Sequence, residues 1–293
     1  MSRSGIVTVA GKPNAGKSTL LNRLVGEKLS IVSPKPQSTR ARVVGIRTAD
    51  DVQMVLLDTP GLLNPAYALQ SAMHALSREA LRDADVILYL VDAELGPPSS
   101  LVEAAALDAP PRAPVLTVFN KIDRIPAADR ARLHEAVPDA HAISAVTGEG
   151  IEELLKEVTD HLPESPFLYP ADEISTQPVR FFVGEMVRET ALEQLEEEVP
   201  YSVACEVEEF REDRTPIYIR AVIYVERESQ KRILIGAGGA RIRDIGRAAR
   251  AKIEHFVGSS IYLDLWVKVL PNWRRKPKEL RRFGFTLPEE YPR

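Results

Sequence analysis

The sequence predicts two domains: an α/β domain with a mostly parallel six-stranded sheet and helices on both faces, followed by a smaller α+β domain. The first half alternates short apolar runs with segments of helical spacing, which is typical of a parallel sheet. Three prolines then fall close together, and the order of elements changes after them: Pro163, Pro166 and Pro170. At 293 residues, the chain is also longer than one average domain.

The predicted strands of the first domain are short runs rich in β-branched residues, as expected for strands buried on both faces. They are residues 6–10, 43–48, 52–57, 86–92, 115–120 and 140–144, with 43–48 as an antiparallel edge strand. The predicted helices are residues 17–25, 72–83, 101–107 and 151–161. Because most strands are predicted to be parallel, their carboxyl ends are expected along one edge of the sheet.

The second half has the order α-β-β-α-α-β, which predicts a three-stranded sheet with helices. The predicted helices are residues 179–195, 231–234 and 240–256, and the predicted strands are 201–210, 216–225 and 261–270. The resulting domain boundaries are 1–165, a linker at 166–178, a second domain at 179–270 and a basic tail at 271–293.

The composition argues against two classes of protein, namely those that span a membrane and those stabilised by disulfide bonds. The chain is 44% hydrophobic and 27% charged, which is ordinary for a soluble globular protein. The longest apolar run, residues 86–91, is far shorter than the roughly 20 residues that a membrane span needs. The single cysteine, Cys205, cannot form an intrachain disulfide, and the N-terminus lacks the pattern of a signal peptide. We therefore expect a cytoplasmic protein.

The net charge of −4 conceals a basic C-terminal part. Residues 227–254 include eight basic and three acidic side chains, and the tail 271–293 has seven basic and three acidic ones. Such a distribution favours a partner that is a polyanion. The alternative is a solvated helix face laced with salt bridges.

A phosphate-binding loop follows the first predicted strand and opens the first predicted helix, as this motif requires. Its backbone N–H groups and the helix N-terminus attract phosphate, while Lys17 neutralises the β- and γ-phosphates and the Ser18 hydroxyl ligates Mg²⁺. The predicted nucleotide-binding residues are Gly11, Lys12, Pro13, Asn14, Ala15, Gly16, Lys17 and Ser18, followed by Thr19.

A carboxylate stands at the end of the third predicted strand. Asp58 is placed to hold Mg²⁺ through water, and the Gly61 N–H to contact the γ-phosphate. The whole predicted contact is Asp58, Thr59, Pro60, Gly61 and Leu62. Ras-like enzymes place a water-orienting glutamine after this glycine, and leucine cannot polarise water, so hydrolysis is expected to be organised differently.

Two further motifs predict guanine specificity. Asn120, Lys121 and Asp123 follow the fifth predicted strand, and Asp123 offers two oxygens to the adjacent N–H donors of guanine. Adenine lacks this pair of donors and would leave the carboxylate unpaired. Ser144 and Ala145 follow the last strand, where a backbone N–H is predicted to reach guanine O6.

The polar segment 33–42 is predicted to be a first switch, ordered by GTP and released after hydrolysis, and residues 61–68 a second. A hydroxyl of the first switch completes the Mg²⁺ shell, and we favour Thr39 over Ser38. Asn14 is either a ligand for a monovalent cation such as K⁺ or an ordinary loop-stabilising side chain. The residues predicted to act in hydrolysis are Lys17, Thr39, Gly61 and Asn14.

These motifs resemble the Era family of bacterial GTPases, in the TrmE/Era superfamily. The resemblance covers the whole chain and rests on residues 11–18, 37–40, 58–61, 120–123, 144–145 and 235–242. It implies an α/β P-loop GTPase domain followed by a type II KH domain, Mg²⁺-dependent GTP hydrolysis and stimulation by K⁺. It further implies binding of 16S rRNA near its 3′ end, a role in assembly of the 30S ribosomal subunit, and a monomer off the ribosome.

The KH resemblance centres on a GxxG element at residues 236–239, where the backbone can approach sugar-phosphate closely. Its first variable position is often basic but here is Ala237, which predicts one lost phosphate contact. Trp273 is predicted either to stack on a base or to anchor the tail by packing. The predicted RNA-binding residues are Lys231, Arg232, Gly236, Ala237, Gly238, Gly239, Arg241, Arg243, Trp273, Arg274 and Arg275.

A second function stays open at this point. The chain can instead be a GTPase of a membrane-associated, stress-signalling or cell-cycle complex, with the KH domain as an adaptor. Its basic tail would then meet acidic lipids on the inner face of the cell membrane.

Overall fold

The computed structural model describes residues 1–213 and 215–288. The chain forms two compact units, residues 1–66 with 70–176, and residues 67–69 with 177–293. The last five residues of the predicted tail lie outside the described part.

The first unit is built on a six-stranded sheet in the order β2-β3-β1-β4-β5-β6. All neighbours are parallel except β2, which pairs with β3 in antiparallel fashion, as predicted for this edge strand. The strands are β1 Arg3–Gly11, β2 Val43–Ala49, β3 Val52–Asp58, β4 Val86–Asp92, β5 Val115–Asn120 and β6 His141–Ala142. Six of the seven residues of β4 are buried, which explains why central strands read as unbroken apolar runs.

The helices of the first unit are α1 Lys17–Val25, α2 Ala68–Asp83, α3 Leu101–Ala104, α4 Ala127–Ala136 and α5 Ile151–His161. Helix α4 was not predicted, because only Leu133 of its ten residues is buried and no apolar stripe marks it. Helix α2 begins four residues before its predicted start, and β6 is only two residues long.

The second unit contains a three-stranded sheet in the order β7-β8-β9, with β8 and β9 parallel. Its strands are β7 Ala204–Arg211, β8 Ile217–Val225 and β9 Ile261–Val269. Its helices are α6 Val179–Gln194, α7 Val199–Ser202, α8 Glu228–Ile235, α9 Ala240–Val257 and α10 Pro277–Arg282. The predicted order α-β-β-α-α-β is confirmed, with two short helices added.

Two boundaries in the second unit differ from prediction for local reasons. Residues 199–202 form α7 instead of the start of a strand, and the Ser202 hydroxyl donates to the carbonyl of Val199. Helix α8 begins three residues early because the Gln230 side chain accepts from the backbone N–H groups of Glu226 and Arg227, at 2.9 and 3.1 Å. This contact satisfies donors that a helix start otherwise leaves unpaired.

The buried side chain of Gln53 forms hydrogen bonds to the proline-rich segment at residues 163–170 and holds it against the sheet of the first unit. Gln53 in β3 is fully buried, and its Oε1 accepts from the N–H groups of Leu168 and Tyr169 at 2.8 and 3.0 Å. Its Nε2 donates to the Tyr169 carbonyl at 2.9 Å and to Thr48 Oγ1 at 3.0 Å. The segment continues along the edge strand, where the Ile46 N–H donates to the carbonyl of Ile174.

Replacing Gln53 with leucine is expected to lower the free energy of unfolding of the first unit by about 2–3 kcal/mol, because polar backbone groups lose their partners. Amide protons at residues 168 and 169 should exchange faster. Hydrogen exchange followed by mass spectrometry measures both effects. The matched control is Thr48→Val, which removes one of the four bonds and should cost about 1 kcal/mol or less. Unchanged exchange at 168–169 in Gln53→Leu would contradict this role.

Candidate functional site

The predicted nucleotide motifs converge at the carboxyl edge of the first sheet. Because β1, β3, β5 and β6 run in one direction, the loops that follow them meet there. A cavity of about 430 Å³ lies at this edge, a size typical of small-molecule sites. Its lining comprises Pro13, Asn14, Gly16, Lys17, Ser18, Thr19, Ile31, Val32, Ser33, Pro34, Gln37, Ser38, Thr39, Gly61, Lys121 and Arg124.

The Lys17 ammonium group forms hydrogen bonds to the backbone of the phosphate loop. Lys17 Nζ donates to the carbonyls of Gly11 and Lys12 at 3.1 and 3.0 Å. Burial lowers the pKa of Lys17 to about 8, since the charged form loses hydration, and the nearby Asp58 offsets part of this shift. The site therefore holds an under-compensated cation, and an anion placed beside it would stabilise the charged form of Lys17.

Two glycines of this loop leave no room for a side chain. A Cβ on Gly16 would lie 2.2 Å from Asn120 Nδ2, and one on Gly11 would lie 2.3 Å from the carbonyl oxygen of Leu90. Gly16 also has a φ of 94°, in the left-handed region. The loop can pass between the strand ends only with glycine at these positions.

Three oxygen-bearing side chains form a cluster suited to a hard divalent cation. Ser18 Oγ donates to Asp58 Oδ2 at 2.6 Å, and the hydroxyls of Ser18 and Thr39 share a hydrogen bond of 2.9 Å. Asp58 Oδ1 is buried without a hydrogen-bond partner among the described residues, and burial raises the pKa of this carboxyl. Hydroxyl and carboxylate oxygens are the ligands that Mg²⁺ prefers, so this cluster fits that ion.

The loop after Asp58 is fixed mainly by its backbone. The Thr59 hydroxyl donates to the carbonyl of Val9 at 3.0 Å, and the Pro60 carbonyl accepts from Ser77 Oγ at 2.9 Å. The Leu62 N–H donates to the Gly11 carbonyl at 3.0 Å, and the Leu62 side chain is buried. The side chains of Thr59, Pro60 and Leu62 therefore support the loop and are not among the residues that line the cavity, and their contact with nucleotide stays a prediction.

Asn120 joins the phosphate loop to residues 144–148. We call these residues the base loop, because Ser144 and Ala145 are predicted to contact guanine. Its Nδ2 donates to the Ala15 carbonyl at 2.8 Å, and its Oδ1 accepts from the Ala145 N–H at 2.9 Å. A backbone N–H at Ser144 and Ala145 is predicted to reach guanine O6, and that of Ala145 already has a partner in this structure. Asp123 is exposed to solvent, while Lys121 Nζ lies 2.5 Å from Asp92 Oδ2.

Asn14 has a left-handed backbone with φ of 64°, and its Nδ2 donates to the carbonyl of Pro34 at 3.0 Å. The side chain thus bridges the phosphate loop to the first predicted switch. This contact agrees with the loop-stabilising reading. Its role as a K⁺ ligand stays a prediction.

In the second unit, the GxxG element forms a tight turn between α8 and α9. Gly236, Gly238 and Gly239 have φ of 73°, 56° and 76°, which favours glycine at all three. Arg243 Nη1 donates to the Gly238 carbonyl at 2.7 Å, so this arginine braces the turn from α9. The Arg241 side chain donates to the carbonyl of Ile233 at 3.1 Å.

A groove of about 630 Å³ lies beside the GxxG turn, between α9 and β9. Apolar side chains of both elements line it, and exposed arginines stand along its helix side. The lining includes Ile242, Arg243, Gly246, Arg247, Arg250, Tyr262, Leu263 and Leu265. Glu254 also lines the groove and pairs with Arg250 at 3.1 Å, so the rim is mainly but not wholly basic. An apolar floor with such a rim suits unstacked bases and their phosphates.

Comparisons with known proteins match both units. A family model described as 50S ribosome-binding GTPase matches residues 6–121, and a KH domain model matches residues 198–274. GTPase Era of Carboxydothermus hydrogenoformans is 42% identical, over 97% of this chain and 98% of that protein. GTPase Era of Mycobacterium avium is 41% identical, over 97% and 99%. The chain belongs to the Era family of GTPases.

Two solved Era structures resemble the chain over nearly its full length. An Aquifex aeolicus Era variant bound to GDP·AlF₄⁻ has a TM-score of 0.90 and 40% identity, over 97% of this chain and 100% of that one. Era in complex with MgGDPNP and nucleotides 1506–1542 of 16S ribosomal RNA has a TM-score of 0.91 and 40% identity, over 98% and 100%. The predicted fold class, a P-loop GTPase domain followed by a KH domain, is confirmed.

Within this Era-family chain, the tail departs from the predicted RNA contacts. Trp273 is fully buried, its Nε1 donates to the Ser202 carbonyl at 2.8 Å, and its ring packs edge-on against Phe283. Base stacking by Trp273 is therefore wrong for this structure, and the anchoring alternative holds. The Arg274 guanidinium is paired with Glu226 at 2.5 Å, whereas Arg275 is exposed.

Several residues of these sites escaped prediction. Arg124 lines the nucleotide cavity, and Ile242, Gly246 and Leu263 line the groove of this Era-family KH domain. The spacing of Ile242 and Gly246 by four on a helix was a usable signal, because residues four apart share one helix face.

No helix within residues 1–213 and 215–288 is long and apolar enough to cross a membrane.

Proposed function

We propose that the protein is a GTP-driven switch that binds 16S rRNA near its 3′ end and acts in 30S subunit assembly. The observation that carries this proposal is the presence, in one chain, of a cavity with a Mg²⁺-type oxygen cluster and a basic groove beside a GxxG turn. The likeness to Era bound to both MgGDPNP and 16S rRNA supports the same pairing of ligands.

In the GTPase unit, we assign phosphate neutralisation to Lys17 and Mg²⁺ binding to Ser18, Thr39 and, through water, Asp58. Bound Mg²⁺ supplies positive charge to the β- and γ-phosphates. Asp123 reads the guanine edge. Since Leu62 is buried and apolar, hydrolysis depends on positioning and charge rather than on a glutamine that orients water.

Asn14 is proposed to add a K⁺ ligand through its side-chain oxygen, making hydrolysis faster in KCl than in NaCl. The proposal is supported by the position of Asn14, which lines the nucleotide cavity. Equal hydrolysis rates in the two salts would exclude a role for K⁺.

In the KH unit, the proposed RNA contacts are the GxxG turn, the groove and five of the cations predicted from the sequence. These cations are Lys231, Arg232, Arg241, Arg243 and Arg275. GTP and RNA are expected to favour each other's binding, because linkage is reciprocal. We place the protein in the cytoplasm as a monomer off the ribosome.

RNA affinity measured by fluorescence anisotropy tests the proposal. A single-stranded RNA with the 3′-terminal sequence of 16S rRNA should bind more tightly in the presence of a non-hydrolysable GTP analogue than of GDP, and more tightly than a scrambled RNA. Equal affinity in both nucleotide states would remove the switch. Binding to acidic vesicles, without preference for this RNA, would favour the membrane-associated alternative instead.

A matched pair of glycine variants locates the RNA site. Gly238 and Gly258 both have left-handed φ, of 56° and 70°, with open space around the position of a Cβ. Aspartate tolerates this backbone, so strain is similar at both positions. Gly238→Asp should weaken RNA binding roughly tenfold by repelling phosphate, a cost of about 1.4 kcal/mol, while Gly258→Asp should not.

A further inference from the structure

Helix α1 contacts both ends of the nucleotide site. It begins at Lys17 in the phosphate loop, and its last turn carries Arg23. Arg23 Nε donates to the carbonyl of Ala145 at 2.6 Å, and its Nη2 donates to the carbonyl of Val146. A guanidinium with fixed, planar donors thus holds two successive carbonyls of the base loop.

These two bonds determine how the base loop presents its N–H groups. A peptide bond is planar, so the carbonyl of Ala145 and the N–H of Val146 point in opposite directions. When Arg23 fixes that carbonyl, it also fixes the direction of the Val146 N–H. On the preceding peptide, the Ala145 N–H is held by Asn120 Oδ1 at 2.9 Å. The loop therefore forms hydrogen bonds to Asn120 of β5 on one side and to Arg23 of α1 on the other.

The backbone beyond Val146 is also set by local contacts. The Thr147 N–H donates to Ser144 Oγ at 3.0 Å, and the Gly148 N–H donates to the Ser144 carbonyl at 2.8 Å. A Cβ on Gly148 would lie 3.0 Å from Arg23 Nη1, so the arginine passes close over this turn. Arg23 is the side chain from the phosphate-loop helix that completes this arrangement.

We propose that Arg23 is a positioning residue for guanine recognition, which holds the loop of residues 144–148 so that the Val146 N–H meets O6 of the base. The inference rests on guanine-nucleotide binding at the proposed site. Arg23 would then connect helix α1, which begins in the phosphate loop, to the loop that recognises the base. Asp123 reads the N1–H and 2-amino groups, whereas Arg23 acts only through the loop that reads O6.

Base analogues separate this role from a general structural one. Inosine diphosphate keeps O6 and N1–H and lacks the 2-amino group, whereas the diphosphate of 2-aminopurine riboside keeps the 2-amino group and lacks both O6 and the N1 hydrogen. Arg23→Ala should weaken GDP and inosine diphosphate equally, by roughly three- to tenfold for two lost hydrogen bonds at a partly exposed site. It should leave the affinity for 2-aminopurine riboside diphosphate unchanged. Isothermal titration calorimetry on the full chain measures all three affinities.

The matched control is Arg47→Ala. Arg47 Nη1 donates to the carbonyl of Leu24 at 2.9 Å, so this variant removes another arginine–carbonyl bond to α1 without touching the base loop. Arg47→Ala should bind all three nucleotides as the unaltered protein does, and Arg23→Lys should recover part of the loss. Equal weakening of all three nucleotides by Arg23→Ala, or no weakening of GDP, would overturn the inference. Failure of the unaltered protein to bind GDP would instead reject the nucleotide site itself.

Discussion

Replacing Lys17 with alanine is expected to slow GTP hydrolysis by roughly 10²–10³-fold, the usual cost of losing one group that stabilises charge in a transition state. Lys17 is buried within the phosphate loop, and its ammonium is held by the carbonyls of Gly11 and Lys12. Another cation at the cavity, Lys121, is paired with Asp92. It is therefore poorly placed to substitute. Release of phosphate in a single turnover measures the effect.

The same substitution should leave the fold intact, which separates catalysis from stability. Burial lowers the pKa of Lys17 to about 8, from an ordinary value near 10.5. At neutral pH the charged lysine therefore opposes folding of the nucleotide-free protein, and its removal should cost little stability. Lys156→Ala is the matched control, because Lys156 is an exposed lysine of α5. Hydrolysis by Lys17→Ala at nearly the normal rate would show that the phosphate contacts lie elsewhere.

The parts of the site that could be predicted are those whose chemistry is local in sequence. The phosphate loop begins at the end of β1, and Asp58 and Asn120 are the last residues of β3 and β5. Parallel strands necessarily bring these ends to one edge. Thr39 is a more demanding case, since it lies in an irregular segment between α1 and β2. Thr39 is predicted to complete the Mg²⁺ shell, and its hydroxyl lies 2.9 Å from that of Ser18 because the segment bends back over the cavity.

The parts that escaped prediction depend on contacts between distant segments. Trp273 is as compatible with a stacked base as with a buried anchor until its partner at Ser202 is known, 71 residues away. Arg23 looks like any basic residue in the last turn of a helix, where cations are favoured by the helix dipole. Gln53 sits in an apolar strand, and nothing near it in sequence shows that Leu168 and Tyr169 supply its partners.

The second large effect is expected at the base. Replacing Asp123 with asparagine should weaken GDP binding by roughly 10³-fold or more, as occurs when a polar match between site and ligand is lost. An aspartate accepts from both guanine donors, N1–H and the 2-amino group. Asparagine keeps one acceptor but turns an N–H toward the 2-amino group, so two donors face each other. Titration calorimetry with GDP measures the loss.

Xanthine provides the compensating ligand, because it carries a carbonyl where guanine has the 2-amino group. The asparagine N–H can donate to that carbonyl while its oxygen still accepts from N1–H, so Asp123→Asn should prefer xanthosine diphosphate to GDP. Asp123 is exposed, and the substitution should therefore leave the fold unchanged. The control Asp139→Asn makes the same change of charge at another exposed aspartate and should keep the preference for GDP. If Asp123→Asn bound both nucleotides equally weakly, the carboxylate would be acting through the loop's structure and not by reading the base. Asp123 is identified as the residue that distinguishes guanine only if the variant prefers xanthosine diphosphate while the unaltered protein prefers GDP.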